Sequence, residues 1–127
     1  MSIKVTKSDL TQMRVYPDTF KHPKMLKVSA DARWTAFELW AYCHKYRTDG
    51  HVPNEVIKDI PLEQIRELVQ AGLMEQDKNR AAWMHDYTDW QPSRAQLEAY
   101  EAAQAEAAQR RSQAGKVAAG ARWHKAS

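Results

Sequence analysis

Three helical periodicities followed by two short alternating runs, all between Ser29 and Trp90, predict a mainly α domain with a small β-hairpin, in the order of a winged helix-turn-helix. Two further observations frame that domain. All but two of the Trp, Tyr and Phe residues precede Gln91, so the core is N-terminal, and the stretch after Pro92 is rich in Ala, Glu and Gln, which favours a separate helix. The chain divides into an extended N-terminal arm (1–28), the winged-helix domain (29–90), a C-terminal Ala-rich helix (91–114) and a basic flexible tail (115–127).

In the arm, Ile3–Thr6 and Met13–Tyr16 are short β-prone pieces. Pro17 and Pro23 then push the residues before them toward extended geometry, which predicts a packed, non-helical segment anchored by Phe20, Met25 and Leu26. Lys21, Lys24 and Lys27 would sit on that fixed surface, either within reach of phosphates or simply solvated.

Ser29 is suited to cap the first helix, with Asp31 in its first turn. Trp34, Phe37, Ala41 and His44 recur at three- and four-residue steps, and Ala36, Leu39, Trp40 and Cys43 widen the stripe, as in a centrally buried helix. Packing is the reading of Cys43 and His44 too. Asp49-Gly50 should end the helix, Gly50 being free to turn left-handed. His51-Val52-Pro53 can form a short strand, Asn54 can cap a short helix over Glu55–Lys58, and Pro61 opens a third helix closed by Gly72. In that third helix Ile65, Leu68 and Val69 share the inner face. Leu73–Glu75 and Ala81–Asp86 are the hairpin strands, joined by the polar turn Asp77–Arg80, and Trp83, Tyr87 and Trp90 would cover the first helix.

Composition excludes several chemistries. Cys43 is the only cysteine, so neither an internal disulfide nor a paired-cysteine metal site can form. The five histidines lack ligand spacing, no Gly-rich phosphate loop is present, and His85-Asp86 has no accompanying nucleophile, so no metal, cofactor or enzymatic role is expected. The N-terminus has no apolar run suited to a signal peptide, and no uncharged stretch approaches the ~20 residues of a membrane span. A cytoplasmic protein without a membrane partner is the expectation.

The net charge of +3 is unevenly placed. Residues 1–33 carry +4, residues 34–90 carry −4, and residues 91–127 carry +3, with five basic residues and no acid from Ala107 onward. Basic arms on an acidic core point to a polyanion partner. The helix over 62–70 would then enter the major groove of double-stranded DNA, with Gln64, Arg66 and Gln70 facing the bases and Lys58 nearby. Glu63 and Glu67 lie on the same predicted side and oppose phosphates. Lys78 and Arg80 form a basic hairpin tip, and Arg110, Arg111, Lys116, Arg122 and Lys125, with Trp123 among them, suit a phosphate-binding tail. The Ala-rich helix is either solvated or pairs with a second copy. Large apolar residues stop at Tyr100, so no coiled-coil seam extends beyond it, and homodimerisation stays open.

The segments HPKMLKVSADA, ELWAYCHKYRTDGHVP, LVQAGLME, WMHDYTDWQPSR and the terminal GARW together resemble small phage-encoded winged-helix proteins of actinobacterial phages, of the replication-initiation or replisome-organiser-like kind. The similarity runs from about Tyr16 to Arg94 and returns in the tail; TDG-x-VP followed by LV-x-AGL and a W-x-HDY-like end is its most distinctive combination. The resemblance implies a DNA-binding fold in a phage setting, with a phage or host replication protein as a further partner, and assigns no catalytic residue. This chain differs from longer relatives in its tight Asp59–Leu62 connection and in showing no helicase-contacting second domain. The expected function is non-catalytic DNA binding in replication initiation or transcriptional regulation. The alternative is a protein-interaction module in which the same surface, acidic at Glu63 and Glu67, binds a phage or host protein.

Overall fold

A computed structural model describes residues 3–126, with side chains described for residues 3–123. The chain is mainly helical, with a small three-stranded antiparallel sheet. The elements are α1 (Pro23–Leu26), α2 (Ala30–Tyr46), β1 (His51–Val52), α3 (Asn54–Ile57), α4 (Leu62–Gln70), β2 (Met74–Gln76), β3 (Ala82–Met84), α5 (Tyr87–Trp90) and α6 (Arg94–Ala126).

The arm is packed, but by helical turns where extended chain was expected. Lys7–Leu10 and Pro17–Thr19 are single 3₁₀ turns, and neither β-prone piece joins the sheet. Pro23 occupies the first turn of α1, where a missing N–H costs nothing, and the His22 side chain accepts from the Lys24 N–H at 3.2 Å. Met25 and Val28 are the buried anchors; Phe20 and Leu26 stay largely exposed, although Phe20 lies against Phe37 at 5.5 Å between ring centroids. Asp9, itself buried, holds the start of the arm together. Its carboxylate accepts from Arg14 Nε at 2.9 Å and Nη2 at 2.8 Å and from the Thr6 N–H at 2.8 Å, and its carbonyl accepts from His44 Nε2 at 2.6 Å.

Ser29 caps α2 as predicted, accepting from the Ala32 N–H at 3.2 Å. The buried seam of α2 is Ala32, Thr35, Ala36, Leu39, Cys43 and His44, a narrower and smaller-residue stripe than the aromatic one predicted. Trp34 is 67% exposed and Ala41 is exposed, whereas Phe37 and Trp40 flank the core. Small residues let neighbouring elements approach α2 closely. The helix ends at Arg47, left-handed at φ 52°, rather than at Asp49-Gly50. Gly50 has its own constraint: φ is +95°, and a Cβ there would lie 2.8 Å from the Cβ of Tyr87.

β1 forms where predicted and pairs with β3, His51 opposite Trp83 and Val52 opposite Ala82. β3 also pairs with β2, so the sheet order is β1-β3-β2 and the hairpin's second strand is central. Ala82 and Met84 point into the core while Trp83 faces outward against His51, the period-2 alternation of a strand with one solvated face. Pro53, not Asn54, occupies the cap position of α3. Pro61 stands at the cap of α4. Tyr87 is buried as predicted, and burial pushes its phenol well above the usual range; Trp90 is mostly exposed, set edge-on to Tyr16 at 5.5 Å.

α6 starts at the predicted capping box, with Ser93 N–H donating to Gln96 Oε1 at 2.8 Å and Gln96 N–H to Ser93 Oγ at 3.2 Å. Asp49 accepts the Arg94 N–H at 2.7 Å, Leu97 is 1% exposed, and Arg47 pairs with Glu101. Those contacts fasten the first two turns to the core. The tail predicted as flexible from Gly115 is instead helical, α6 running without a break through Gly115 and Gly120 to Ala126. Ala, Gln, Glu and Arg on either side carry the helix, and each glycine costs only about 1 kcal/mol relative to alanine.

Candidate nucleic-acid interface

α4 is the element on which the predicted base-reading residues lie, and the structure sorts them into two groups. Ile65 and Leu68 are buried against α2. Gln64 is half-buried, and its side-chain oxygen accepts from Thr35 Oγ1, so this amide is turned toward α2. Glu67 accepts the Ser29 N–H at 2.8 Å and the Ser29 hydroxyl at 2.9 Å, which fixes the carboxylate at the start of α2. The opposing charge expected at position 67 is thereby tied to the exposed start of α2. Leu62, Glu63, Arg66, Val69 and Gln70 remain outward, with Leu62 62% and Val69 37% exposed. The predicted inner position of Val69 is corrected: the nine-residue α4 packs only a narrow stripe, and Val69 lies at its edge. Among the described side chains Arg66 makes no ion pair, and Leu62, Arg66 and Gln70 follow one another at four-residue steps on one face. Lys58 is exposed just after α3.

The hairpin tip is a shaped turn. Asp77 Oδ1 accepts the N–H groups of Asn79 at 2.8 Å and Ala81 at 3.0 Å, and the Asp77 N–H donates to the Ala81 carbonyl at 2.9 Å. Arg80 is left-handed at φ 64°. Lys78 and Arg80 are both exposed at this tip, one short strand beyond the C-terminal end of α4. At the base of the hairpin His85 faces Glu75 through Nδ1 and Asp86 through Nε2 at 2.9 Å, joining β2 to the turn before α5.

The third group lies on α6. Arg110, Arg111, Lys116 and Arg122 are exposed, and Arg110 pairs with Glu106 one turn back. Arg111 and Arg122 are eleven residues apart, just over three whole turns, and so share a face; Lys116 and Trp123 share another. The side chain of Lys125 lies outside the described residues. The cations predicted as a loose tail are thus spaced along a rod.

Sequence reasoning passed over the junction that positions these groups: Thr35–Gln64 and Ser29–Glu67 join α2 to α4, and Arg47–Glu101 joins α2 to α6. The pairs are between 29 and 54 residues apart, with no local pattern to mark them. Among the described residues no group of three or more His, Cys, Asp or Glu is placed to hold a metal ion, and no helix is long and apolar enough to cross a membrane. Set against protein-family models, curated proteins and solved structures, the chain matches none of them.

Proposed function

We propose that this chain is a non-catalytic DNA-binding protein of winged-helix type, with α4 as the major-groove helix. The observation that carries this is connectivity: α2, β1, α3, α4, β2 and β3 follow in that order, with β1 and β2 flanking β3, which is the plan of a winged helix. Arg66 and Gln70 read base edges, and Gln64 serves the fold instead. Lys78 and Arg80 at the wing tip and Lys58 engage phosphates, and the cations of α6 add sequence-independent affinity. The short-motif resemblance favours a phage setting, in replication initiation or transcriptional regulation, within the bacterial cytoplasm.

The exposed Leu62 and Val69 flanking Arg66 favour a second reading, in which α4 docks on a phage or host protein. Fluorescence anisotropy with labelled duplex DNA over a salt series separates the two. Groove binding predicts that R66A weakens and flattens sequence preference, that E63Q tightens binding, and that K78Q/R80Q lowers the salt slope by roughly 0.9 per lost phosphate contact. Binding that is indifferent to R66A and disappears when Arg110, Arg111, Lys116 and Arg122 are changed to Gln assigns DNA to α6 alone and α4 to a protein partner.

A further inference from the structure

A groove of about 260 Å³ lies between the arm and the core; it reaches Gly72 and Leu73 just after α4 and Gln91 just before α6, and includes no residue of the wing tip. Tyr16 and Lys24 from the arm, Phe37 and Trp40 from α2, and Tyr87 and Trp90 from α5 line it, and most of the lining is apolar. Its volume falls just under the ~300 Å³ at which drug-sized pockets begin, so it suits one planar group and not an extended ligand.

The walls are held in place. The Gln91 side chain is bonded to the Arg14 backbone at 2.8 and 2.5 Å, the Tyr16 hydroxyl donates to the Trp90 carbonyl at 2.9 Å, and Met25 is locked in the core. Trp90 stays mostly exposed despite its size. Phe37 and Trp40 stand edge-to-face at 5.2 Å.

The rim on the arm side carries two bases, Lys24 and His22, beside one carboxylate, Asp18. Lys24 Nζ donates once, to the Gly72 carbonyl at 3.4 Å, which leaves N–H groups for a ligand. His22 also lines the groove; its Nδ1 accepts the Lys24 N–H, so Nε2 carries the proton and is a donor. Lys21 and Lys27 flank the pair on a segment without acids. Of the two carboxylates in the lining, Asp86 is engaged by His85 and Asp18 stands on the arm. Aromatic faces beside cations fit a flat ring bearing an anion, the combination used to hold unpaired bases.

We propose that this groove binds one nucleobase of single-stranded nucleic acid, stacked on its aromatic wall with the adjoining phosphate on Lys24 and His22. The proposal uses none of the residues assigned to duplex DNA, so R66A leaves it untouched. An acidic peptide carrying one aromatic side chain is the competing occupant.

The test is a ¹H–¹⁵N NMR titration of the full chain with thymidine 5′-monophosphate, then with a deoxythymidylate hexamer. The expected result is movement of the Trp40 and Trp90 indole N–H signals and of the Thr19 and Lys24 amides, weak for the mononucleotide and tighter for the hexamer. W90A should weaken hexamer binding roughly tenfold, as expected for one lost stack. K24Q, which leaves every ring in place, should weaken it too and reduce its salt dependence. Shifts confined to α6, or no shift up to about 10 mM mononucleotide, overturn the proposal. So does an Asp-Phe dipeptide that moves the same signals at lower concentration than the nucleotide.

Discussion

The Gln91 side chain treats the backbone of Arg14 as a neighbouring strand would: its Oε1 accepts from the Arg14 N–H at 2.8 Å and its Nε2 donates to the Arg14 carbonyl at 2.5 Å. The two residues are 77 positions apart, and this amide is buried. It is the only group bonded to both backbone polar atoms of Arg14 among the described residues. Gln91→Ala should therefore destabilise the protein by about 1–3 kcal/mol and expose the Arg14 amide to exchange. Unchanged protection of that amide in a hydrogen-exchange experiment would show that the clamp does not hold the arm.

Acid should loosen the same arm. The Arg14 guanidinium holds the Asp9 carboxyl down at about 2 from its ordinary 3.8, so Asp9 binds its proton less readily in the folded state than in the unfolded one. Its contribution is present in full above the ordinary value and is lost as pH falls from about 4 to about 2. The amount at stake is about 2 kcal/mol. Denaturation followed between pH 5 and pH 2 should show a steeper decline for the wild-type chain than for Asp9→Asn, and parallel curves would sink the assignment.

Glycines should respond in opposite senses. Gly50→Ala combines a left-handed φ of +95° with a Cβ 2.8 Å from that of Tyr87, and should cost more than about 2 kcal/mol. Gly115→Ala and Gly120→Ala meet nothing within 4 Å and lie inside α6, so each should raise far-ultraviolet helicity and stabilise the helix by about 0.5–1 kcal/mol. A helicity signal unmoved by both α6 substitutions would mean that the distal half is not helical in solution.

On α4, stability and DNA affinity should separate residue by residue. Gln64→Ala and Glu67→Ala remove the bonds to Thr35 and Ser29 and should lower thermal stability, while their effect on duplex affinity stays small. Arg66→Ala should leave the melting temperature alone and weaken duplex binding. Finding the reverse order for Gln64 and Arg66 would place the wrong residues outward.

Elements set by local chemistry were legible in the sequence. The Ser29 cap, the Ser93–Gln96 box, the strand at His51-Val52 and the hairpin turn all rest on spacing within a few residues, and all are present. The buried face of α2 was harder to see, because tertiary packing selected its small residues and left Trp34 in solvent. Gln64 and Glu67 have base-reading and phosphate-opposing chemistry on paper; only their partners on α2 show what they do in the fold. The length of α6 escaped because two glycines outweighed, in pattern, the helix formers that outweigh them in energy.

Beyond Tyr100 the last 26 residues of α6 extend roughly 40 Å at 1.5 Å per residue, while among the described side chains it is the first two turns that are fastened, by Asp49, Leu97 and Arg47. Such an element works as a lever with its fulcrum at Ser93. A tilt of about 10° there sweeps the far end, roughly 50 Å away, through roughly 9 Å, between two and three base-pair steps along a duplex. The Asp49-Gly50 corner meets both the start of α6 and Tyr87, so a small rearrangement there would change the reach of Arg122.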